Sequence, residues 1–283
     1  MPGSALACRQ VVGRPNKLQG VSSLYLRDDL RDTPHDVSSV VSLHGEEQKH
    51  AVKVNRMRVG EETAIGDGRG LMVRGPVIAV SATVLSIAVT HVVDEPVPEL
   101  TIWLVQALAK GDRDELAIQT ATELGVNGVV PWAAERSVSR WTGDKIAKGA
   151  ERWRTIVREA SKQSIRAWVP QVAALHSTKD LLALAETTRV LVLEPTAELA
   201  LSEVDLSSVI QNDRASEGVA QNPDQTLPDL VLIVGPEGGI SERELDDLTT
   251  AGATTVKLGE GILRTSSAGP AAIVALNVLL KRW

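Results

Sequence analysis

Two glycine-rich turns hold the residues best suited to chemistry. The first lies in Val231-Leu-Ile-Val-Gly235-Pro-Glu-Gly-Gly239-Ile-Ser-Glu-Arg-Glu244. An apolar strand ends there in a turn, and a helix opens with Ser241 three residues before Glu244, the pattern of a capping box. Glycines let a backbone approach a ligand closely, and the free N–H groups at a helix start are ready donors. The turn lacks the Lys-Ser/Thr of a P-loop and does not fit G-x-G-x-x-G. Taken alone, a strand–turn–helix of this kind is also explained by tight packing. The second turn, Leu258-Gly259-Glu-Gly-Ile262-Leu263-Arg264-Thr-Ser-Ser-Ala268, again joins a strand to a helix. A third strand end, Leu193-Glu194-Pro195, supplies an acid. All three fall at carboxyl ends of strands, where open α/β sheets bind ligands.

The order Leu-Ile-Val-Gly235-Pro236-Glu237-Gly-Gly239, Ser241-Glu-x-Glu244, Leu258-Gly259-x-x-Ile262-Leu263-Arg264-Thr resembles the RsmE family of 16S rRNA (uracil-N3) methyltransferases, of the SPOUT class. Further motifs agree: Gln106-Ala-Leu-Ala-Lys110-Gly-Asp-Arg113, Ala121-Thr-Glu-Leu-Gly125, Val130-Pro131, Glu135-Arg136-Ser-Val138, and Glu159-Ala160 with Gln163-Ser164 and Arg166. The likeness covers nearly everything after Leu24. It implies a SPOUT-type α/β domain whose C-terminal trefoil knot binds S-adenosyl-L-methionine, an N-terminal PUA-like β-barrel, and a homodimer. It makes Leu193, Glu194, Pro195, Gly235, Pro236, Glu237, Gly239, Leu258, Gly259, Ile262, Leu263 and Arg264 the expected cofactor-binding residues. One departure stands out: the family often has Arg-x-Glu-Thr-Ala after the second turn, whereas this chain has Ser266 in place of the acid.

Methylation of a uracil nitrogen is a displacement, and N3 is a poor nucleophile until its proton leaves. Arg264 is the expected group to stabilise negative charge on the uracil oxygens; a salt bridge to Glu260 is its structural alternative. Glu194 is the second expected catalytic residue, or it hydrogen-bonds the cofactor's ribose. No general base is assigned. For RNA the expected contacts are Lys110, Arg113, Arg136 and Arg166, with Arg56 and Arg58 on the barrel side. Glu159, Gln163 and Arg166 share a helix face at spacings four and three; an internal ion-pair network explains the same charges. Trp132, Trp141, Trp153 and Trp168 are read first as packing and second as base-stacking surfaces.

The elements that position these residues follow from the pattern of the chain. Residues 1–20 form a leader and 21–92 a region of short strands, namely Ser23–Arg27, Glu62–Ile65, Leu71–Val73, Val77–Val80 and Val84–Val89, around a helix from His44 to Arg56. Gly75-Pro76 separates two of those strands, and His91–Glu99, with Pro96 and Pro98, reads as the linker. Residues 98–283 alternate strands with helices, which predicts a mainly parallel sheet. Strands are expected at Thr101–Leu108, Val129–Pro131, Arg189–Leu193, Leu230–Val234 and Thr255–Leu258. Helices are expected on a face carrying Leu116, Thr120 and Leu124, and over Asp144–Arg166, Ser241–Ala251 and Ser266–Lys281. The polar stretch 202–228 reads as a flexible excursion.

Composition narrows the function classes. With 43% hydrophobic and 23% charged residues the 283-residue chain has the balance of a soluble globular protein. No apolar run reaches the roughly 20 residues of a membrane span, and Met1–Gly20 lacks the apolar core of a secretory signal. A single Cys8 suits a reducing cytoplasm, and five histidines without metal-ligand spacing make a metalloenzyme improbable. Six Trp, one Tyr and no Phe count against an aromatic RNA-recognition sheet. The net charge of −6 conceals a basic stretch, Arg136–Arg166, with 9 Lys/Arg against 3 acids. Such local potential can meet a polyanion on an acidic molecule. The expected activity is methylation of N3 of a uridine in 16S rRNA within the small ribosomal subunit. The alternative is a catalytically inactive SPOUT-fold RNA-binding or ribosome-assembly factor.

Overall fold

A computed structural model describes residues 21, 23–210 and 228–283. The leader 1–20 and most of the 202–228 excursion lie outside the described residues. The C-terminal part is built on a parallel six-stranded sheet formed by β7 (Ile102–Ala107), β8 (Gly128–Trp132), β9 (Gln171–Val172), β10 (Arg189–Leu193), β11 (Leu230–Val234) and β12 (Thr254–Val256), in the order β12-β10-β11-β7-β8-β9. Its central strands are apolar runs because both faces are covered. Alternate residues divide between the two faces: Leu191, Leu230, Leu232 and Val234 on one, Val190, Val192, Val231 and Ile233 on the other. The first face packs against α2 (Arg113–Glu123), α3 (Asp144–Gln163) and α7 (Thr265–Leu279), through Ile118, Trp153 and Ile273. The second packs against α4 (Thr178–Ala185) and α6 (Glu242–Thr250), through Leu181 and Leu248. The result is a three-layer α/β arrangement.

The N-terminal part is a mixed six-stranded sheet in the order β1-β3-β4-β5-β2, with β6 also paired to β4. Its strands are β1 (Leu24–Leu26), β2 (Val40–Leu43), β3 (Glu62–Gly66), β4 (Leu71–Val80), β5 (Leu85–Ala88) and β6 (His91–Asp94). Tyr25, Leu30, Ile65, Val73, Leu85 and Ile87 form its core. Between β2 and β3, α1 (Gly45–Lys49) continues into a π-helical turn, His50–Val54.

Several expected elements differ. Gly75-Pro76 does not divide two strands: Gly75 pairs with Thr63 and Pro76 with Glu62 inside a continuous β4. A side chain at Gly75 would collide with the Ala88 carbonyl, so the glycine is there for the close approach of β5. The segment read as linker contains β6, whose four residues pair antiparallel with Leu71–Arg74 before Pro96 ends the run. On α2 the buried face is Ala117, Ile118, Ala121 and Thr122, while Leu116 is exposed. Within the stretch read as an excursion, residues 207–210 form α5 (Ser207–Ile210), and Leu206 and Val209 pack into the main core. Helix α3 stops at Gln163, where Ile165 turns to positive φ, so Arg166 lies beyond it.

The two sheets meet along residues 165–169. Gly70 N–H donates to Ala167 O at 3.0 Å, Val169 N–H to Gly68 O at 2.9 Å, and Trp168 Nε1 to Glu95 O at 3.2 Å. Lys162 on α3 is buried and pairs with Glu47 at 3.2 Å and Glu159 at 3.0 Å. Arg158 reaches Asp28 and the Leu26 carbonyl.

Candidate active site

The carboxyl ends of β10, β11 and β12 open into one cavity of about 440 Å³. All twelve residues expected to bind a cofactor line it, from Leu193-Glu194-Pro195 through the Gly235–Gly239 turn to the Leu258–Arg264 turn. Three parallel strands lying side by side make this convergence unavoidable, since each delivers its following turn to the same edge. Side chains added at Gly239, Gly259 or Gly261 would meet nothing within 4 Å, so these backbones border open space. Gly239 has φ +72°, which only glycine adopts without strain. Its N–H donates to Pro236 O at 2.9 Å and closes the turn, and the predicted Ser241–Glu244 capping box then starts α6.

Each acid at the rim is held differently. Glu194 Oε1 accepts from Thr196 N–H at 3.2 Å and from the Thr196 hydroxyl at 2.9 Å, leaving Oε2 without a partner among the described residues. Glu237 Oε1 accepts from Lys110 N–H at 3.0 Å and Arg113 Nη1 at 2.8 Å. Burial acts to raise the Glu237 pKa, but its own amide, the Lys110 amide and the Arg113 guanidinium outweigh burial and hold the carboxyl below its ordinary value. Arg264 precedes α7, is exposed, and makes no side-chain hydrogen bond or ion pair among the described residues. Its structural alternative fails, because Glu260 pairs with Lys257 at 3.2 Å.

Sequence reasoning missed the buried link beneath these turns. Gln106, at the end of β7, donates through Nε2 to the Thr265 hydroxyl at 2.9 Å, and that hydroxyl donates to Gly235 O at 2.8 Å. The link ties the residue after Arg264 to the first glycine turn. The signal was available, since Gln106 opens a motif and Thr265 follows Arg264, but a side-chain relay between distant segments has no spacing rule.

The expected RNA contacts separate. Arg113 lines the cavity and is engaged by Glu237. Lys110 has an exposed side chain, its backbone amide being the donor to Glu237. Arg136 holds the glycine turn from outside, donating to the Gly238 and Ile240 carbonyls at 3.4 and 3.3 Å. Arg56 and Arg58 are exposed on the N-terminal part and away from the cavity lining. Arg166 does not join the others. It donates to Thr122 O at 2.7 Å and lines a small pocket with Thr101, Asn127 and Gln171, at the amino ends of the strands. Burial, with Arg282 nearby, lowers its pKa to about 10. The reason is the early end of α3, which turns Arg166 off the face shared by Glu159 and Gln163. Trp132 and Trp153 are core residues, and Trp168 packs at the junction between the sheets.

The cavity suits a nucleoside-type ligand. Its volume falls in the range of small-molecule sites, about 300–1,000 Å³. Leu193, Leu258, Ile262 and Leu263 offer apolar surface, glycine backbones allow close approach, and Glu194 and Glu237 offer acceptors. Among the described residues no group of three or more His, Cys, Asp or Glu is placed to hold a metal, and no helix is long and apolar enough to cross a membrane.

Comparison with known proteins agrees with this geometry. The sequence model of the RNA methyltransferase domain family matches residues 96–277. The chain is 38% identical over 252 residues to the ribosomal RNA small subunit methyltransferase E of Mycobacterium bovis, covering 89% of this chain and 91% of that one. It is 32% identical to the protein of the same name from Bacillus subtilis, over 83% of this chain and 89% of that one. Among solved structures, ribosomal RNA small subunit methyltransferase E from Neisseria gonorrhoeae bound to S-adenosyl methionine superposes with a TM-score of 0.72 at 27% identity, covering 91% of this chain and 97% of that one.

Proposed function

The chain belongs to the ribosomal RNA small subunit methyltransferase E family, and on that premise we propose that it methylates N3 of one uridine in 16S rRNA, using S-adenosyl-L-methionine bound in the cavity at the ends of β10, β11 and β12. The observation that carries this reading is the closure of three strand-end segments, twelve expected residues in all, on that one cavity with an unpaired arginine at its edge. S-adenosyl-L-methionine supplies an electrophilic methyl group on a sulfonium.

The protein's own residues do the remaining work. The glycine turns and Leu258, Ile262 and Leu263 hold the ligand, while Glu194 Oε2 remains available to accept from a ribose hydroxyl. The Lys110 amide and Arg113 fix Glu237 at the rim, which sets the height of the first turn against α2. Arg264 faces the acceptor and stabilises the charge that develops on the uracil oxygens as the N3 proton leaves and the N–C bond forms. Orientation of acceptor and donor in such a site supplies roughly 7–11 kcal/mol of a displacement barrier. Ser266 provides no acid at the start of α7, so proton removal falls to solvent or to an acid outside that turn.

At the level of the chain, we read 21–92 as a PUA-like barrel that contacts RNA through Arg56 and Arg58, and 98–283 as a SPOUT domain whose C-terminal segments form a trefoil knot. The protein acts in the cytoplasm as a homodimer on the small subunit. The order β12-β10-β11-β7 and the return of α7 against α2 support the SPOUT assignment of 98–283.

The deciding experiment is mass spectrometry of 16S rRNA from cells with and without the gene, followed by addition of purified protein and S-adenosyl-L-methionine to the deficient small subunits. Loss and restoration of N3-methyluridine at one position is the expected result. Cofactor binding with no methyl transfer to these subunits would favour the inactive assembly-factor reading.

A further inference from the structure

Beside the cofactor cavity lies a second one of about 400 Å³, formed by the start of α2, the loop after β8, and α3. The two are neighbours across the Arg113–Glu237 ion pair: Arg113 and Glu237 line the first, while Lys110, whose amide holds Glu237, lines the second. The motif stretches around Lys110–Arg113 and Glu135–Val138, which the cofactor cavity leaves largely unused, converge here through Lys110, Asp112 and Val138.

The lining has a distinct chemistry. Trp141 sits against Gly149 of α3, where any side chain would collide with the indole, and it meets Trp153 edge-on with ring centroids 5.5 Å apart. A partly exposed indole is thereby held rigid at the cavity wall. Two of the three acids in the lining are already engaged. Glu115 is paired with Arg152 at 2.8 Å, and Asp114 accepts from the amides of Ala109 and Glu115. The Lys110 ammonium and the Asp112 carboxylate make no side-chain hydrogen bond or ion pair among the described residues, although the Asp112 charge acts on Arg152 across the lining. A rigid indole, one unpaired cation and one carboxylate with open acceptor positions match a nucleobase: a stacking surface, a contact for the adjoining phosphate, and an acceptor for a ring or exocyclic N–H.

We propose that this second cavity holds a base of the rRNA strand flanking the methylated uridine, so that two neighbouring bases are splayed to either side of the Arg113–Glu237 pair. The inference rests on the methyltransferase reading above and adds a substrate-recognition site to it. Such a site selects single-stranded or opened RNA, since a base inside a helix cannot enter either cavity.

The test uses the full-length protein carrying Ser139→Trp, which fills the cavity from its lining, and separately Lys110→Ala, which removes the free cation. Small subunits from cells lacking the gene are the substrate. The expected result is a KM for subunits raised about tenfold, the size of one lost stacking or phosphate contact. The Kd for S-adenosyl-L-methionine and the melting temperature should match the wild-type values. An unchanged KM in both variants overturns the proposal. So does a change of oligomeric state in Ser139→Trp with RNA affinity unchanged, which would make the cavity a protein contact. Filter retention of the deficient subunits without cofactor decides the matter independently: if the wild type transfers no methyl group, the methyltransferase reading fails, while weaker retention of both variants still supports the cavity.

Discussion

Arg264 and Gly239 both border this cavity, and each lends itself to a single-residue test of the proposed function. Arg264 spends no hydrogen bond on the protein, so its charge is free to act on the substrate. Arg264→Ala should lower kcat by about 10²–10³-fold, the loss typical of one removed transition-state donor, with a much smaller change in cofactor Kd. Single-turnover rates beside calorimetric affinities measure the two, and equal losses in both would make Arg264 a binding residue. Gly239 sits at φ +72° beside open space, so Gly239→Val faces backbone strain as well as an intruding side chain. The strain, about 1–3 kcal/mol, is carried with or without ligand and lowers stability, whereas the side chain projecting into the cavity should weaken cofactor Kd by about tenfold or more. A folded variant that binds S-adenosyl-L-methionine normally would contradict this.

Elements matter through the turns they deliver. The first glycine turn is held from one side by the Arg113–Glu237 pair of α2 and from the other by Arg136 on its carbonyls. Because the folded pKa of Glu237 is lowered, the pair contributes above the ordinary carboxylate pKa and is lost as pH falls through the depressed folded value. Cofactor affinity should therefore hold from neutral pH to below the reference glutamate value of about 4.3. In Glu237→Gln the acid limb of that profile should disappear, and affinity at neutral pH should fall. An acid limb unchanged in Glu237→Gln would assign it to another group. Beneath the same turn, the Gln106–Thr265–Gly235 relay couples β7, β11 and α7. Truncation at Thr265 removes both bonds at once and leaves the buried Gln106 amide with only its 3.2 Å bond to the Ala107 carbonyl, at a cost of about 1–3 kcal/mol; chemical denaturation of Thr265→Ala measures it.

For the whole molecule, the question is how the N-terminal sheet is fixed against the catalytic part. Lys162 is only 5% exposed and bridges Glu159 on its own helix to Glu47 on the other part. Removing one partner of a buried pair is far more costly than removing a surface one. Glu47→Gln should destabilise the protein by up to about 3 kcal/mol. If the N-terminal sheet meets RNA as proposed, the same change should also raise the KM for small subunits while leaving cofactor affinity unchanged, because no residue of that sheet lines the cavity. Urea denaturation and subunit titration report the two effects; a change in cofactor affinity would show that the junction instead supports the cavity.

The apolar runs Arg189–Leu193 and Leu230–Val234, and the turns that follow them, were legible from the sequence alone, because period, glycine placement and capping are local properties of the chain. The twelve residues around the cavity were legible through motifs whose order survives without any knowledge of contacts. Local patterning could not decide that Gly75-Pro76 lies within a strand, since that depends on the approach of Ala88. Nor could it place Arg166, whose spacing fits a helix face until Ile165 turns to positive φ and sends it to the opposite end of the sheet. Only the tertiary structure joined Gln106 to Thr265 and seated Trp141 on Gly149. Those contacts link segments far apart in sequence, and their geometry is set by how helices pack on the sheet and not by any one helix or strand.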